Sequence, residues 1–499
     1  MKQKQPTLKN YIALAVILAI FCCIVFGSFK RPIWFDEAYT ANLIEGRSDQ
    51  IIRMTALDVH PPLYYLLLRY WYLIFGHSIE ALRAFSTFCA VIALFLVYKL
   101  SFRWSKSNVT SLFLTIAVAL CPFFIYYASE MRMYTMTCAI VIGGTLALDY
   151  ALKEKKKKYW IIYAITITLA FYTQYFAVLP FLAHAIYILY YFKKHGMDKQ
   201  FIITYPLAAA LCLPWLPALL SQASAVVHHF WPDPVEPVTL LKTLSFGIIY
   251  YQDILKEAIQ RKIFFSALFL IVFYGVVAVK CVGQATREKL FEIFLLVIVP
   301  PLMLFIISLP PFQSLYVDRY VISSLMFLWL FVGVIALAAS RRNLLLMAPL
   351  VAIMLVCSYY GVNNIYRLNN NVSVFKNLAS YIELVDDEYT PVIYDGYDAG
   401  VYDQIFYETK KHPVFAYSIS RGWGATVPVV EYEKNYLKNI EEFMRDNDTF
   451  WYVTTTSVAK TKIVEKMIGE DKEIVDSLTS KDHTVYKITK MKKQLEINE

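Results

Sequence analysis

The chain has 499 residues, 58% of them hydrophobic, with a formal net charge of +9 and a mean hydropathy of +0.47. Its apolar runs repeatedly reach the roughly 17 to 25 residues that cross about 30 Å of hydrocarbon, which excludes a soluble globular protein. The positive charge acts as an insertion signal: aromatics interleaved with basic residues suit membrane interfaces, and no nucleic-acid module or nucleic-acid partner is indicated.

Run length and flanking charge predict about eleven spans, at 11–28, 80–101, 109–127, 133–152, 159–175, 177–192, 201–220, 262–280, 290–309, 319–339 and 343–362. Basic residues crowd alternate loops: Lys2, Lys4 and Lys9; Arg103 and Lys106; Lys153 to Lys158 around Glu154; Lys193, Lys194 and Lys199; Arg287 and Lys289; Arg341 and Arg342. All six groups fall on one side, so the positive-inside rule makes the N-terminus cytoplasmic and the first long loop extracytoplasmic. The first run is too long for a cleavable signal, and no small-residue cleavage site precedes Trp34; it is read as a retained span in the cell membrane.

The first outer loop, 29–79, carries Trp34-Phe35-Asp36-Glu37-Ala38, an adjacent carboxylate pair just where the chain leaves the bilayer. Residues 37–54 read as one helix with polar and apolar faces. His60-Pro61-Pro62 then starts a run from Leu63 to Phe75, too short to span and stopped by Gly76, which is expected to lie at the interface. The loop 221–261, with His228, His229, Trp231 and a Pro-rich stretch at 232–237, is expected to be extended and lid-like. The eight cysteines lie in spans or at their cytoplasmic edges and imply no disulfide framework, only small buried hydrophobes.

From about Asn363 the composition turns polar. Strand-like runs at 391–395, 413–417, 449–455 and 483–489 alternate with helical patterns at 373–387, 431–446 and 458–469, which reads as one extracytoplasmic α/β domain. It carries no Gly-rich nucleotide loop, and a binding or scaffolding role is expected. The division expected is thus 1–362 for the membrane region and 363–499 for this domain.

Four polar groups gather on the outer face: Asp36-Glu37, Asp58 with His60, Glu130 with Arg132, and Asp318 with Arg319. Transfer of a sugar from a lipid phosphate to a hydroxyl needs a general base for the acceptor and cations or donors for the departing phosphate, and this set provides both. Asp36 reads as the base or as a carboxylate at a helix start. Glu37 serves the helix start or the acceptor. Asp58 and His60 bind phosphate or metal, or else shape the turn before the two prolines. Arg132 and Arg319 clamp phosphate or meet anionic lipid generally, and Glu130 and Asp318 are candidates to pair with these arginines. Gln174 and Tyr175 stand at an outer turn, as sugar contacts or as plain turn residues, and His228 with His229 is compatible with a metal, although loop histidines are usually solvated. A transporter or flippase for a lipid-linked glycan, and a non-catalytic membrane scaffold, remain alternatives. Against transport, the ionisable residues read as gathered at one face rather than at mid-membrane depth.

These motifs, with Leu63-Tyr64-Tyr65, Arg83, Ser86 and Met133-Tyr134 beside them, resemble the prokaryotic relatives of protein O-mannosyltransferases and the lipid A aminoarabinose transferases, membrane glycosyltransferases of the GT-C fold. The resemblance covers about 1–362. It implies an inverting transfer from a polyprenyl-phosphate-linked sugar, with Asp36 at the reaction centre, basic residues on the lipid phosphate, and Tyr134 and Tyr320 among the substrate contacts. It leaves a divalent metal open as a cofactor, and it leaves the sugar and the extracytoplasmic acceptor unspecified.

Overall fold

A computed structural model describes residues 6–229, 232–251, 257–340, 344–370, 374–386, 389–395, 412–417, 440–455, 464–465, 468, 471–481 and 483–491. The chain packs as two compact units, residues 1–31 with 59–370, and residues 32–58 with 371–499.

The first unit is a helical bundle. It begins with α1 (Leu8–Phe26). The second unit then contributes α2 (Phe35–Glu45) and α3 (Ser48–Leu57), and the bundle resumes with α4 (Leu63–Phe75), α5 (Ile79–Ser105), α6 (Asn108–Ala119), α7 (Pro122–Ala128), α8 (Tyr134–Glu154) and α9 (Lys157–Thr173). It continues through α10 (Leu179–His195), α11 (Thr204–Cys212), α12 (Leu216–His229), α13 (Thr239–Ile249), α14 (Ala258–Cys281), α15 (Gln284–Ile307), α16 (Ile322–Ser340) and α17 (Ala348–Arg367). Among the described residues nine helices are long and apolar enough to cross a membrane, and ten if α6 and α7, bent by 72° at the break before Pro122, form one span. The expected span at 159–175 is α9, whose 17 residues sit at the lower limit for crossing.

Local chemistry sets several boundaries. Pro62 caps α4, and Gly76, at φ +89°, ends it, a conformation only glycine adopts without strain. Ser78 then caps α5 by accepting from the Ala81 N–H at 3.1 Å. At Gly361 of α17 the bundle closes tightly on α7: a Cβ there would stand 2.3 Å from Pro122 Cβ. Gly361→Ala is therefore expected to destabilise the bundle by about 1–3 kcal/mol, read as a lower thermal midpoint in detergent.

Two expectations are corrected here. The 37–54 helix is in fact two, α2 and α3, because Gly46 and Arg47 take extended backbone between them. The 221–261 segment is not an extended loop: α12 runs on through His229, residues 239–249 form α13 and α14 starts at Ala258, so among the described residues only 232–238, 250–251 and 257 are irregular. Trp231 and the side chains of His228 and His229 lie outside the described residues, as do Arg341 and Arg342. All eight cysteines are free.

The second unit holds α2, α3 and a mixed sheet with α18 (Val374–Val385) and α19 (Ile440–Asp446). The strands are β1 (Val392–Asp395), β2 (Val414–Tyr417), β3 (Thr449–Thr455), β4 (Lys472–Ser480) and β5 (His483–Lys490), in the order β2-β1-β3-β5-β4. β1 pairs parallel with β2 and β3, while β5 pairs antiparallel with β3 and β4. Alternation along the strands feeds two cores. Val392, Tyr394, Trp451 and Val453 meet Leu378 and Ile382 of α18, whereas Ile393, Phe450, Tyr452 and Ile488 meet Phe443 of α19. Of the expected helix at 431–446 only 440–446 is described, and of that at 458–469 only 464–465 and 468.

Candidate active site

The buried turn between α7 and α8 organises one end of the bundle. Ser129, Glu130, Met131, Arg132 and Met133 are all buried, so their backbone polar groups need partners within the protein. Long-range side chains provide them. Thr87 of α5 donates to the Ala128 carbonyl at 2.7 Å and Ser86 to the Arg132 carbonyl at 3.2 Å. Arg31, just beyond α1, donates to Ser129 Oγ at 2.7 Å and to its carbonyl at 3.0 Å. Arg83 in turn braces the Arg31 segment by donating to the Phe29 and Arg31 carbonyls, at 2.6 and 2.9 Å.

Arg132 is 1% exposed. Its guanidinium lies 3.0 Å from the Tyr65 hydroxyl, to which it donates, and 3.0 Å from His60 Nε2. Because Arg132 carries only donors, His60 Nε2 is the acceptor of this bond. The His60-Pro61-Pro62 turn therefore delivers His60 and Tyr65 to Arg132 from the start of α4. Tyr64 completes the support through Ser86 at 2.9 Å.

Glu130 stands 3.6 Å from Arg31, both side chains being almost fully buried. This ion pair was not anticipated from the sequence. Removing Glu130 takes this ion pair from a buried guanidinium, so Glu130→Ala is expected to cost about 3–5 kcal/mol, seen as unfolding at markedly lower temperature or denaturant.

The remaining sequence candidates fall into smaller groups. Asp318 and Arg319 lie on the 3-10 turn Asp318–Val321 that opens α16. Asp318 accepts a hydrogen bond from Thr243, whose hydroxyl also lies 2.8 Å from that of Tyr316, and Tyr320 stacks on Phe176 with centroids 4.9 Å apart. Tyr134 packs edge-on against Tyr127 at 4.6 Å. Gln174 caps the end of α9 and accepts weakly from Thr137 at 3.4 Å. Tyr175 donates to Gln222 at 2.5 Å and accepts from Trp215 at 2.7 Å. Arg31 and Ser129 were not singled out from the sequence as site residues, and Tyr65 entered only within the motif that carries the resemblance.

Asp36, Glu37 and Asp58 belong to the second unit. Asp36 and Glu37 occupy the first turn of α2, where the helix dipole favours negative charge. The Trp34 carbonyl accepts from the Glu37 and Ala38 N–H groups, both at 2.9 Å, and Glu37 is fully buried while Asp36 is half-buried. Asp58 closes α3, its N–H donating to the Met54 carbonyl at 3.1 Å. Among the described residues no three His, Cys, Asp or Glu side chains converge to hold a metal ion.

At the other end of the bundle Asp149, Glu288 and Glu292 are buried and Lys289 is half-buried within the helices. Ionisable groups are thus not confined to one face as the sequence suggested.

Residues 59–218, under half of the chain, match the family profile described as dolichyl-phosphate-mannose-protein mannosyltransferase. No curated protein matches the chain significantly in sequence. The structure aligns with ArnT from Cupriavidus metallidurans in the apo state at a TM-score of 0.65 and 12% identity, covering 95% of this chain and 97% of that one. It aligns with ArnT from the same organism bound to undecaprenyl phosphate at 0.66 and 11% identity, covering 96% and 98%. The fold is that of ArnT. The profile match begins one residue before His60 and takes in Arg83, Glu130 and Arg132, so it contains the Arg132 cluster.

Proposed function

We propose that the chain is an inverting membrane glycosyltransferase that moves a sugar from a polyprenyl-phosphate donor to an extracytoplasmic acceptor hydroxyl on a glycan, lipid or protein. The observation that carries the reading is Arg132: a desolvated guanidinium held by His60 and Tyr65 at the end of a membrane bundle, a preorganised partner for a lipid phosphate. The likeness to a GT-C structure bound to undecaprenyl phosphate supports the donor class.

In this reading the Asp36 carboxylate takes the acceptor proton, and the acceptor oxygen attacks the anomeric carbon from the face opposite the phosphate. The bond from that carbon to the phosphate oxygen breaks, and its electron pair leaves on polyprenyl phosphate. Arg132 and Arg319, aided by His60, stabilise that charge. Glu37, Asp58, Glu130, Tyr134, Gln174, Tyr175 and Tyr320 hold the helix start, the arginines or the substrates. The charge distribution of the loops favours a cytoplasmic N-terminus and an extracytoplasmic C-terminal domain.

The test is purified protein in lipid with a panel of labelled polyprenyl-phosphate sugars and cell-envelope extract as acceptor. Release of free polyprenyl phosphate from one donor, with label in the extract, is expected. Binding of a lipid-linked sugar with no release from any donor would favour a carrier of such lipids instead.

A further inference from the structure

A cavity of about 220 Å³ opens at the end of the bundle opposite Arg132, walled by α5, α6, α8, α10, α15 and α16. On the water-share scale it has room for about seven waters. Its lining combines Lys153, Lys289 and Trp104 with the apolar Leu114, Val334 and Leu337. Asp149 is five residues before the end of α8 and Lys289 five after the start of α15, so both sit about 8 Å in along the helix axis. That is the depth at which a phospholipid passes from headgroup to acyl chain.

The charges there are arranged around Asp149. Its Oδ1 accepts from Lys289 at 2.8 Å, Lys153 at 2.9 Å and the Trp104 indole at 3.1 Å, and its Oδ2 from Arg103 at 2.5 Å. Lys289 is engaged a second time by Glu292 at 2.7 Å. Arg103, Lys153 and Lys289 thus share one carboxylate whose roughly four lone-pair sites are used up, while Glu154 also pairs with Arg103 at 3.4 Å and Glu288 lines the cavity as well. Lys153 is the least committed: an ammonium has three donors, and its side chain is 42% exposed on the cavity wall.

We infer that this cavity binds the headgroup of an anionic phospholipid, its phosphate on Lys153 and the start of its acyl chains on Leu114, Val334 and Leu337. Basic pockets between membrane helices take anionic headgroups in this way. Trp104 adds an interfacial anchor. The site is separate from the proposed transfer chemistry, because neither Lys153 nor Leu337 belongs to the Arg132 end.

Native mass spectrometry of the full chain, delipidated and then titrated with phosphatidylglycerol or phosphatidylcholine, tests it. Wild type is expected to retain one phosphatidylglycerol in preference to phosphatidylcholine. Leu337→Trp, which fills the cavity without changing charge, is expected to abolish that retention. Lys153→Gln is expected to weaken it about tenfold, the loss of one charge-assisted hydrogen bond. Both variants are to be checked for wild-type melting in lipid-free detergent. Should Leu337→Trp fail to fold, Lys153→Gln decides alone. Equal retention of the two lipids, or wild-type retention by either folded variant, overturns the proposal. Complete displacement of the lipid by inorganic phosphate would also overturn it, because the apolar wall would then contribute nothing.

Discussion

Asp36→Asn is expected to lower sugar transfer by about two to four orders of magnitude, the usual worth of a general base, while leaving donor affinity and thermal midpoint unchanged. The amide keeps the shape of the carboxylate but cannot accept the acceptor proton. Asp36 is half-buried in the first turn of α2, whose start is secured by main-chain bonds to the Trp34 carbonyl. Removing its charge forfeits a dipole interaction of a few tenths to about 1 kcal/mol. Glu37→Gln makes the contrast, because Glu37 is fully buried and its loss should show in stability as well as in rate. The readout is polyprenyl phosphate release under single-turnover conditions with a binding measurement alongside. Unaltered turnover in Asp36→Asn would sink the base assignment. A fall in donor affinity equal to the fall in rate would move Asp36 to donor binding.

The bundle was legible because crossing hydrocarbon needs long apolar runs, and the C-terminal strands because most are buried and alternate. What escaped shows where such patterns carry no signal. β4 was missed because it is an edge strand whose side chains are mostly exposed, so nothing forces apolar alternation upon it. The α2–α3 break turns on the extended backbone of Gly46 and Arg47 inside a pattern otherwise helical. Residues 216–229 were split between a span and a loop because α12 continues past the apolar stretch into Gln222, Ser224 and the histidine pair. At the candidate site the motifs around His60, Glu130 and Arg132 were visible, but the partner of Glu130 was not. Arg31 reaches the Ser129–Glu130 turn from 98 residues away, and in sequence it looked like one more loop charge. The same holds for Lys289, which the positive-inside pattern treats as a flank residue although it meets Asp149 inside the bundle.

Arg132→Lys is expected to cut kcat/KM by about a hundredfold to a thousandfold, the range for losing one donor aimed at developing charge. Lysine retains the charge and much of the length, so a site needing only a cation would tolerate it. Arg132 instead uses one nitrogen on Tyr65 and another on His60, an arrangement that fixes the plane of the guanidinium and that a single ammonium cannot reproduce. A merely structural arginine would give a different signature: a lower melting midpoint with the rate of the surviving folded fraction unchanged. His60→Gln separates the two roles further, because glutamine can still accept from Arg132 while removing the imidazole. It should recover most of the stability and, if His60 only orients Arg132, most of the rate. Polyprenyl phosphate affinity, measured on both variants by competition with a labelled donor, gives the decisive reading. Weakened product binding in Arg132→Lys at unchanged melting temperature is the expected result, and unchanged binding would remove Arg132 from the phosphate site.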